Sequence, residues 1–392
     1  MPSSCSNKKI AIVTGTRADW GLLTPLARAL DASDGVQLCI VATNMHLDDR
    51  FGATASQIED DGFAIAARVP MAVSGDDPAS RVHAMAKCMD GMADALATLQ
   101  PDAVVILGDR YEMLAVASAA AMMRIPIAHI AGGTVSEGAI DDALRHAITQ
   151  LSTLHLTETE QHRRRVIQMG QQPDTVIATG ALGVWNIMNQ PLLTQTQLEQ
   201  TLPGLSFDRP TVLVTYHPVT LSDRSPQWLF GQLTAALDAM PDLQVLITYP
   251  NNDAGGATLA QLAQQWADAR AGRVWAVPSL GMARYLSALQ FVKAVVGNSS
   301  SGIVEVPSMH IPTVDIGMRQ RGRLCADSVI HCADDTESIT AALRLALSDE
   351  GQRRARQTVN PYHKPDTVAV MTRAIIDMAR RGPTVKKFHD IV

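Results

Sequence analysis

The sequence predicts an α/β protein with two doubly wound parallel sheets, and three observations support this. Short apolar runs alternate with alanine-rich helical segments, as expected for buried parallel strands and their crossover helices. The alternation occurs twice, on either side of a polar segment rich in Gln and Pro, from about Asn186 to Pro210. A length of 392 residues exceeds what one hydrophobic core usually supports. We therefore expect two domains joined by this polar connection.

Each series is predicted to contain six strands. In the first series they are Ile10–Thr14, Val36–Ala42, Ala103–Leu107, Ile125–Ile130, Leu154–Thr157 and Val176–Thr179, with helices such as Leu22–Leu30 and Ala84–Leu99 between them. In the second they are Thr211–Thr215, Gln244–Thr248, Arg273–Val277, Lys293–Val296, Thr313–Ile316 and Ser328–His331, and a last helix covers Val368–Arg381. We place the first domain at 1–185 and the second at 186–370. Residues 371–392 are expected to be helical and to pack on the first domain.

Net charge, cysteine content and the lack of long apolar runs argue against several classes of protein. A net charge of −6 argues against a nucleic-acid surface, which needs a clustered basic excess. The five cysteines are scattered and lack CxxC spacing, which favours reduced thiols over disulfides or zinc. We see neither the apolar core of a signal peptide nor an uncharged run of membrane-spanning length. We expect a cytoplasmic protein without nucleic-acid or membrane partners.

Charged residues follow two neighbouring strands of the first series. Asp109 and Arg110 come after the strand that ends at Leu107. The strand that ends at Ile130 is followed by a Gly132-Gly133 pair and then by Glu137, Asp141, Asp142, Arg145 and His146. Ligands of open α/β sheets bind outside the carboxyl ends of the strands. The pattern indicates an anionic substrate and a proton-transfer reaction.

The segment TGTRADWG, Thr14 to Gly21, joins the first strand to the first helix. Its glycine allows close backbone approach, and Arg17 adds a charge to the positive end of a helix, as a diphosphate contact would require. The segment matches neither GxGxxG nor a P-loop. The alternative, a helix-start turn capped by Asp19 with a solvated arginine, stays open.

The corresponding turn of the second series is rich in hydroxyl groups. A strand-to-helix turn holds Asn298, Ser299, Ser300, Ser301 and Gly302, whose N–H and O–H groups can bind phosphate oxygens. Glu305 is expected one turn into the following helix, where it can accept from ribose hydroxyls or simply face solvent. Arg319, Arg321 and Arg323 follow the next strand as a cationic cluster suited to an anion.

His217 directly follows the strand that opens the second series. A histidine is the side chain best suited to move a proton near neutral pH, although a histidine that only caps a strand end would look the same. Four other histidines have no supporting constellation and are interpreted as structural or solvated: His83, His155, His162 and His310.

Seven motifs occur in an order that resembles the hydrolysing UDP-N-acetylglucosamine 2-epimerases of sialic acid and related nonulosonic acid biosynthesis. They are TGTRADWG, GDRYE, HIAGG with EGAIDDALRHAIT, YHP, YPNNDAGG, GNSSSGIVE and GMRQRGR. The resemblance covers nearly the whole chain. It implies two Rossmann-like domains of the GT-B type with the active site in the interdomain cleft, and UDP held mainly by the second domain. It implies removal of the C2 proton, loss of UDP to give a glycal, and addition of water to give the free 2-epimer.

The resemblance also assigns residues. Asp109, Asp141 and His217 match catalytic positions. Nucleotide contacts match Arg17, Asn251, Ser299, Ser300, Glu305 and Arg319, and we add Arg110, Ser301 and Gly302 from their places in the loops. The base must be a carboxylate in a water-poor site, with its pKa raised by burial and by like charge.

We expect no metal and no cofactor, because arginines and hydroxyl donors can stabilise the leaving UDP. A homo-oligomer, dimer or tetramer, is also expected.

One departure from the family pattern affects the chemistry. Family members commonly carry a glutamate two residues after the histidine of the H-x-E-G-G segment, and this chain has Ala131 there; the glutamate often found after the glycines is Thr134. The loop is one residue longer and contains Glu137, which we expect either to supply the missing carboxylate or to accommodate another sugar. The EGAIDD sequence favours the branch that acts on UDP-2,4-diacetamido-2,4,6-trideoxyhexose, in the legionaminic acid route, over UDP-GlcNAc.

Three alternatives stay open at this point. A non-hydrolysing 2-epimerase shares the fold and the nucleotide site. A retaining glycosyltransferase of the same fold has less need of so many carboxylates in the first domain. A nucleotide-sugar-binding regulator without catalysis is favoured only by Ala131.

Overall fold

The computed structural model describes residues 7–72, 75, 77–136, 140–219, 224–250 and 255–391. The chain divides into two compact units. Unit 1 comprises Met1–Thr134, Ile140–Trp185 and Lys364–Val392, and unit 2 comprises Val135–Ala139 and Asn186–His363.

Unit 1 contains a seven-stranded parallel sheet. Its strands are β1 (Lys8–Thr14), β2 (Val36–Thr43), β3 (Ile65–Val69), β4 (Ala103–Leu107), β5 (Ile127–Ile130), β6 (Leu154–Thr157) and β7 (Val176–Ala178). Its helices are α1 (Arg17–Asp31), α2 (Ala55–Asp60), α3 (Pro78–Leu99), α4 (Tyr111–Met122), α5 (Asp141–Leu151), α6 (Glu160–Gln168) and α7 (Leu182–Asn189), which runs into unit 2. The strand order is β3-β2-β1-β4-β5-β6-β7, so the winding reverses between β1 and β4.

Unit 2 contains a six-stranded parallel sheet. Its strands are β8 (Thr211–Thr215), β9 (Gln244–Thr248), β10 (Val274–Val277), β11 (Ala294–Gly297), β12 (Thr313–Ile316) and β13 (Val329–Cys332). Its helices are α8 (Gln195–Gln200), α9 (Pro226–Asp238), α10 (Gly256–Asp268), α11 (Gly281–Ala288), α12 (Ser301–Val304), α13 (Thr336–Leu347) and α14 (Asp349–Arg356), and the last helix of the chain, α15 (Thr367–Arg381), returns to unit 1. The order β10-β9-β8-β11-β12-β13 reverses between β8 and β11.

Both sheets are covered on their two faces, as near-continuous apolar strands require. In unit 1, α1 and α15 pack on one face, and α3 and α4 on the other. In unit 2, α9, α10 and α13 cover one face, and α8 and α11 the other. The predicted fold class is confirmed.

The elements differ from the sequence prediction at three places. The helix expected over 371–392 ends at Arg381, because Gly382 follows it with a positive φ of 72°. Strand β3 was not predicted, because only one side of this edge strand is shielded and its sequence, IAARV, is not continuously apolar. The segment from Asn186 to Pro210, expected to be an interdomain connection, carries α8 and belongs to unit 2. Leu198 and Leu202 of this segment are buried in the unit 2 core, so its polar residues are the outer side of a packed helix.

The chain after residue 364 packs on unit 1. Met371 and Ile375 of α15 are fully buried beside α1 and the sheet. Lys386 donates to the carbonyls of Gln150 and Ser152, both at 2.6 Å, and so satisfies the end of α5. Burial lowers the pKa of Lys386 to about 8. Of the helices in the described ranges, none has the length and apolarity needed to cross a membrane.

Candidate active site

Most of the predicted site residues lie at the two positions where the strand order reverses. In unit 1, Arg17 follows β1 and Asp109 and Arg110 follow β4; in unit 2, His217 follows β8 and the serine turn follows β11. Such reversals leave a crevice at the carboxyl edge of a sheet, where α/β proteins bind ligands. Glu137 and Asn251 lie outside the described residues.

Asp109 is held by a buried arginine. Arg145 of α5 is 3% exposed and pairs through Nη2 with the Asp109 carboxylate, which is 24% exposed. Its Nη1 donates to the Thr134 carbonyl at 2.7 Å and to Asp142 Oδ1 at 3.2 Å. Asp141 is the first residue of α5, one helical turn before Arg145, so the two lie on the same side of the helix. Arg145 therefore brings Asp109 together with the acidic first turn of α5.

The loop after β5 runs close to α6. Gly133 has φ +78°, and a Cβ at this position would lie 2.5 Å from the carbonyl oxygen of His162. Only glycine fits both the conformation and the space. This close passage places Thr134 Oγ1 3.2 Å from Glu158 Oε2, at the end of β6. Glu158 was not predicted, because it is separated from Thr134 by 24 residues.

A second charged cluster at the unit 1 reversal was also not predicted. Glu112 is fully buried and accepts from Arg110 Nε and from Asn44 Nδ2, each at 2.8 Å. The Glu112 charge raises the pKa of Arg110. Gly15 passes directly over this carboxylate, since a Cβ there would lie 2.6 Å from Glu112 Oε1. Arg110, predicted to contact substrate, thus has its Nε committed to a buried carboxylate.

Asp19 lies beside this cluster. Burial raises its pKa to about 6, the positive charge of Arg110 opposes the shift, and the charge of Glu112 adds to it. Asp19 does not cap α1 as the alternative interpretation held: Thr16 is the cap, and its Oγ1 accepts from the Asp19 backbone N–H at 3.1 Å. A carboxyl with a pKa near 6 populates both protonation states near neutrality, as a general acid or base must. Arg17, the first residue of α1, is exposed.

The raised pKa of Asp19 predicts a pH-dependent change in stability. The folded protein binds this proton more tightly than the unfolded chain, so the contribution of Asp19 is most favourable below pH 3.8 and is lost as the pH rises through 6. We expect Asp19→Asn to be more stable than the wild type at pH 7.5 by on the order of 1–3 kcal/mol, and to lose this advantage near pH 4. Denaturant unfolding of both proteins at pH 7.5 and pH 4 measures the difference in their free energies of unfolding. The same difference at the two pH values would contradict the prediction.

In unit 2, Asn298 organises the turn that contains His217. Asn298 is fully buried; its Oδ1 accepts from the His217 backbone N–H at 2.7 Å, and its Nδ2 donates to the His217 carbonyl at 2.9 Å. Arg319 Nη1 and Gln320 Nε2 donate to the Asn298 carbonyl at 3.1 and 2.7 Å. The Asn298 side chain thus binds the backbone that carries His217, a role that the sequence did not predict. The backbone of His217 is thereby held by a residue 81 positions away.

The serine turn differs from its prediction in one respect. Helix α12 has four residues, so Glu305 lies at its C-cap and not one turn inside it; Pro307 follows in a 3-10 turn. The Ser301 hydroxyl hydrogen-bonds the Tyr285 hydroxyl at 2.8 Å, and the Ser301 N–H donates to Ser299 Oγ at 3.4 Å. Ser299 and Ser300 are half-buried. Gly302 is buried against Thr313, and a Cβ at this position would lie 2.7 Å from Thr313 Cγ2.

No cluster of three or more His, Cys, Asp and Glu side chains that could hold a metal ion occurs among the described residues. The chemistry of the described sites is that of carboxylates, arginines and hydroxyl groups.

The contacts of Asp109 lead to a prediction about turnover. We expect Asp109→Asn, and separately Asp141→Asn, to lower turnover by about a hundredfold or more, the size of a lost general base. Nucleotide affinity should be retained, because the substitutions leave the serine turn unchanged. The exposed Asp242→Asn is the matched control. Steady-state kinetics that give near wild-type turnover for both variants would reject the assignment.

Two Rossmann-like sheets with polar side chains at both reversals define a protein of the GT-B class. The chain belongs to the UDP-N-acetylglucosamine 2-epimerase family, whose model matches residues 28–376. It is 37% identical to the GDP/UDP-N,N'-diacetylbacillosamine 2-epimerase (hydrolyzing) of Campylobacter jejuni, over 83% of this chain and 84% of the relative. It is 32% identical to the polysialic acid biosynthesis protein P7 of Escherichia coli, over 98% of each chain.

Among solved structures, UDP-GlcNAc 2-epimerase from Neisseria meningitidis bound to UDP-GlcNAc is similar, with a TM-score of 0.79 and 16% identity over 94% of this chain and 100% of that one. This likeness concerns the fold. The resemblance inferred from the seven motifs is confirmed, and the protein is an enzyme of the epimerase family.

Proposed function

We propose that this protein is a hydrolysing 2-epimerase that converts a UDP-2-acetamido sugar to UDP and the free 2-epimer. The observation that supports this most strongly is Asp109, a partly exposed carboxylate at the end of β4 that is oriented by the buried Arg145 beside the acidic turn of α5. A carboxylate oriented at a strand end and partly exposed can reach a proton of the substrate, as a general base must.

The reaction proceeds in two steps in this proposal. A carboxylate removes the C2 proton, the electron pair forms the C1–C2 double bond, and the C1–O bond to UDP breaks. Water then adds its oxygen at C1 and a proton returns to C2 from the opposite face, which gives the 2-epimer. We assign the proton transfers to Asp109 and Asp141, with Asp19 as a nearby group that changes protonation near pH 6.

We assign the nucleotide to residues of unit 2 and to Arg17. Neutral donors of the serine turn, Ser299, Ser300 and Ser301, together with Arg319, can stabilise the charge that develops on the leaving diphosphate. His217, held through its backbone by Asn298, is placed next to this turn and is assigned a role in proton transfer. Glu305 is assigned to the ribose hydroxyls.

The sugar is proposed to be a UDP-2,4-diacetamido-2,4,6-trideoxyhexose, because the Campylobacter jejuni relative named for such a sugar shares more identity than the polysialic acid protein. UDP-GlcNAc is the second candidate. Incubation of the purified protein with each sugar, followed by analysis of products by NMR, should show free UDP and the free 2-epimer from the diacetamido sugar. A product that still carries UDP would indicate a non-hydrolysing epimerase, and absence of any conversion would indicate a binding protein.

The assignment of UDP to unit 2 makes Arg319 a test position. We expect Arg319→Ala to weaken UDP binding by about 1.5–3 kcal/mol, because it removes a charged donor and one of the two donors to the Asn298 carbonyl. Arg354→Ala, an exposed arginine on α14 of the same unit, is the matched control and should change affinity little. Unchanged affinity of Arg319→Ala in titration calorimetry would reject this placement.

A further inference from the structure

The loop after β5 lacks a carboxylate where one is expected. The resemblance to the family implies a glutamate directly after the glycine pair, and this chain has Thr134 there. Residues 131–136 read AGGTVS, so no other residue of the described part of this loop can supply the group. Thr134 is 3% exposed and lies at the carboxyl edge of the sheet.

A carboxylate reaches this position from the neighbouring strand. Glu158 directly follows β6, and its Oε2 lies 3.2 Å from Thr134 Oγ1 and 3.7 Å from His162 Nδ1. The Glu158 side chain is 15% exposed, so it is largely shielded but still touches solvent. The Thr134 hydroxyl can donate to this carboxylate and orient it. Glu158 therefore places an anionic oxygen within hydrogen-bonding distance of the side chain at position 134.

Glu158 is also connected to Asp109 through Arg145. Arg145 Nη1 donates to the Thr134 carbonyl at 2.7 Å, while its Nη2 pairs with Asp109. The ends of β4, β5 and β6 are thus linked in one series of contacts, with a carboxylate at each end and threonine and arginine between them. A reaction that moves a proton off one face of C2 and onto the other needs carboxylates on both faces, and Glu158 adds one to Asp109 and Asp141.

We propose that Glu158 replaces the glutamate that is absent at position 134, and acts with Asp109 as a second carboxylate that contacts the sugar. This inference rests on the proposed function and extends it. It assigns the carboxylate to Glu158 and not to Glu137 of the longer loop.

The test removes the carboxylate of Glu158 and then introduces one at position 134. Glu158→Gln should lower turnover about a hundredfold, with UDP affinity changed less than about twofold, and Glu158→Ala should do the same. In the Glu158→Ala background, Thr134→Glu should recover at least about a tenth of wild-type turnover, because it restores a carboxylate beside the position that Glu158 Oε2 occupies. Glu160→Gln, at the start of α6 two residues after Glu158, is the matched control, because Glu160 is 52% exposed and pairs at the surface with Arg163.

Three outcomes would overturn the proposal. The first is near wild-type turnover of Glu158→Gln. The second is a fully inactive Thr134→Glu, Glu158→Ala protein with a wild-type melting temperature, which would show that a carboxylate carried by position 134 does not serve the function assigned to Glu158. The third is loss of turnover in Glu137→Gln without loss in Glu158→Gln. Deuterium incorporation at C2 is measured together with UDP release. If the wild-type protein exchanges the C2 proton but leaves UDP on the sugar, the hydrolysing function is refuted. The effect of the carboxylate variants on C2 exchange can still be measured in that case.

Discussion

The arrangement of the unit 1 site depends on one buried guanidinium. Arg145 is 3% exposed, and a charge so far from water is tolerated only when its donors are satisfied. It binds an Asp109 oxygen, the Thr134 carbonyl and Asp142, which belong to three separate segments. Removing one partner of a buried pair typically costs about 3–5 kcal/mol. The requirement to satisfy Arg145 therefore fixes where the β4 loop, the β5 loop and α5 lie relative to one another.

The two units place polar groups by different means. In unit 1, charged side chains order one another: Glu112 holds Arg110, and Arg145 holds Asp109. In unit 2, a neutral amide orders the site, since the Asn298 side chain binds both backbone groups of His217. The Asn298 carbonyl in turn accepts from Arg319 and Gln320. Charges that shift pKa values suit proton transfer. Fixed neutral donors suit an anion whose charge develops as it leaves, because they need no reorganisation.

The sequence predicted the fold well and the site only in part, for a physical reason. Apolar runs and helix periods are local, so the parallel strands were found, and the exception was β3, whose IAARV sequence is only half-shielded. Asp109 and His217 were predicted because they directly follow apolar strands. Glu112, Glu158 and the role of Asn298 depend on burial and on pairs separated by 68, 24 and 81 residues. The raised pKa of Asp19 likewise comes from burial, which a motif does not reveal.

The proposed role of Glu158 beside Thr134 explains how a motif can be incomplete while its chemistry is kept. Neighbouring parallel strands lie roughly 4.8 Å apart, and their ends meet at one edge of the sheet. A glutamate side chain is long enough to cross that spacing, so a carboxylate carried by the end of β6 can occupy a place served from the loop after β5. What proton transfer requires is an oxygen at a given point with a given orientation. In this chain the Thr134 hydroxyl, 3.2 Å from Glu158 Oε2, provides the orientation that the loop backbone would otherwise provide for its own side chain.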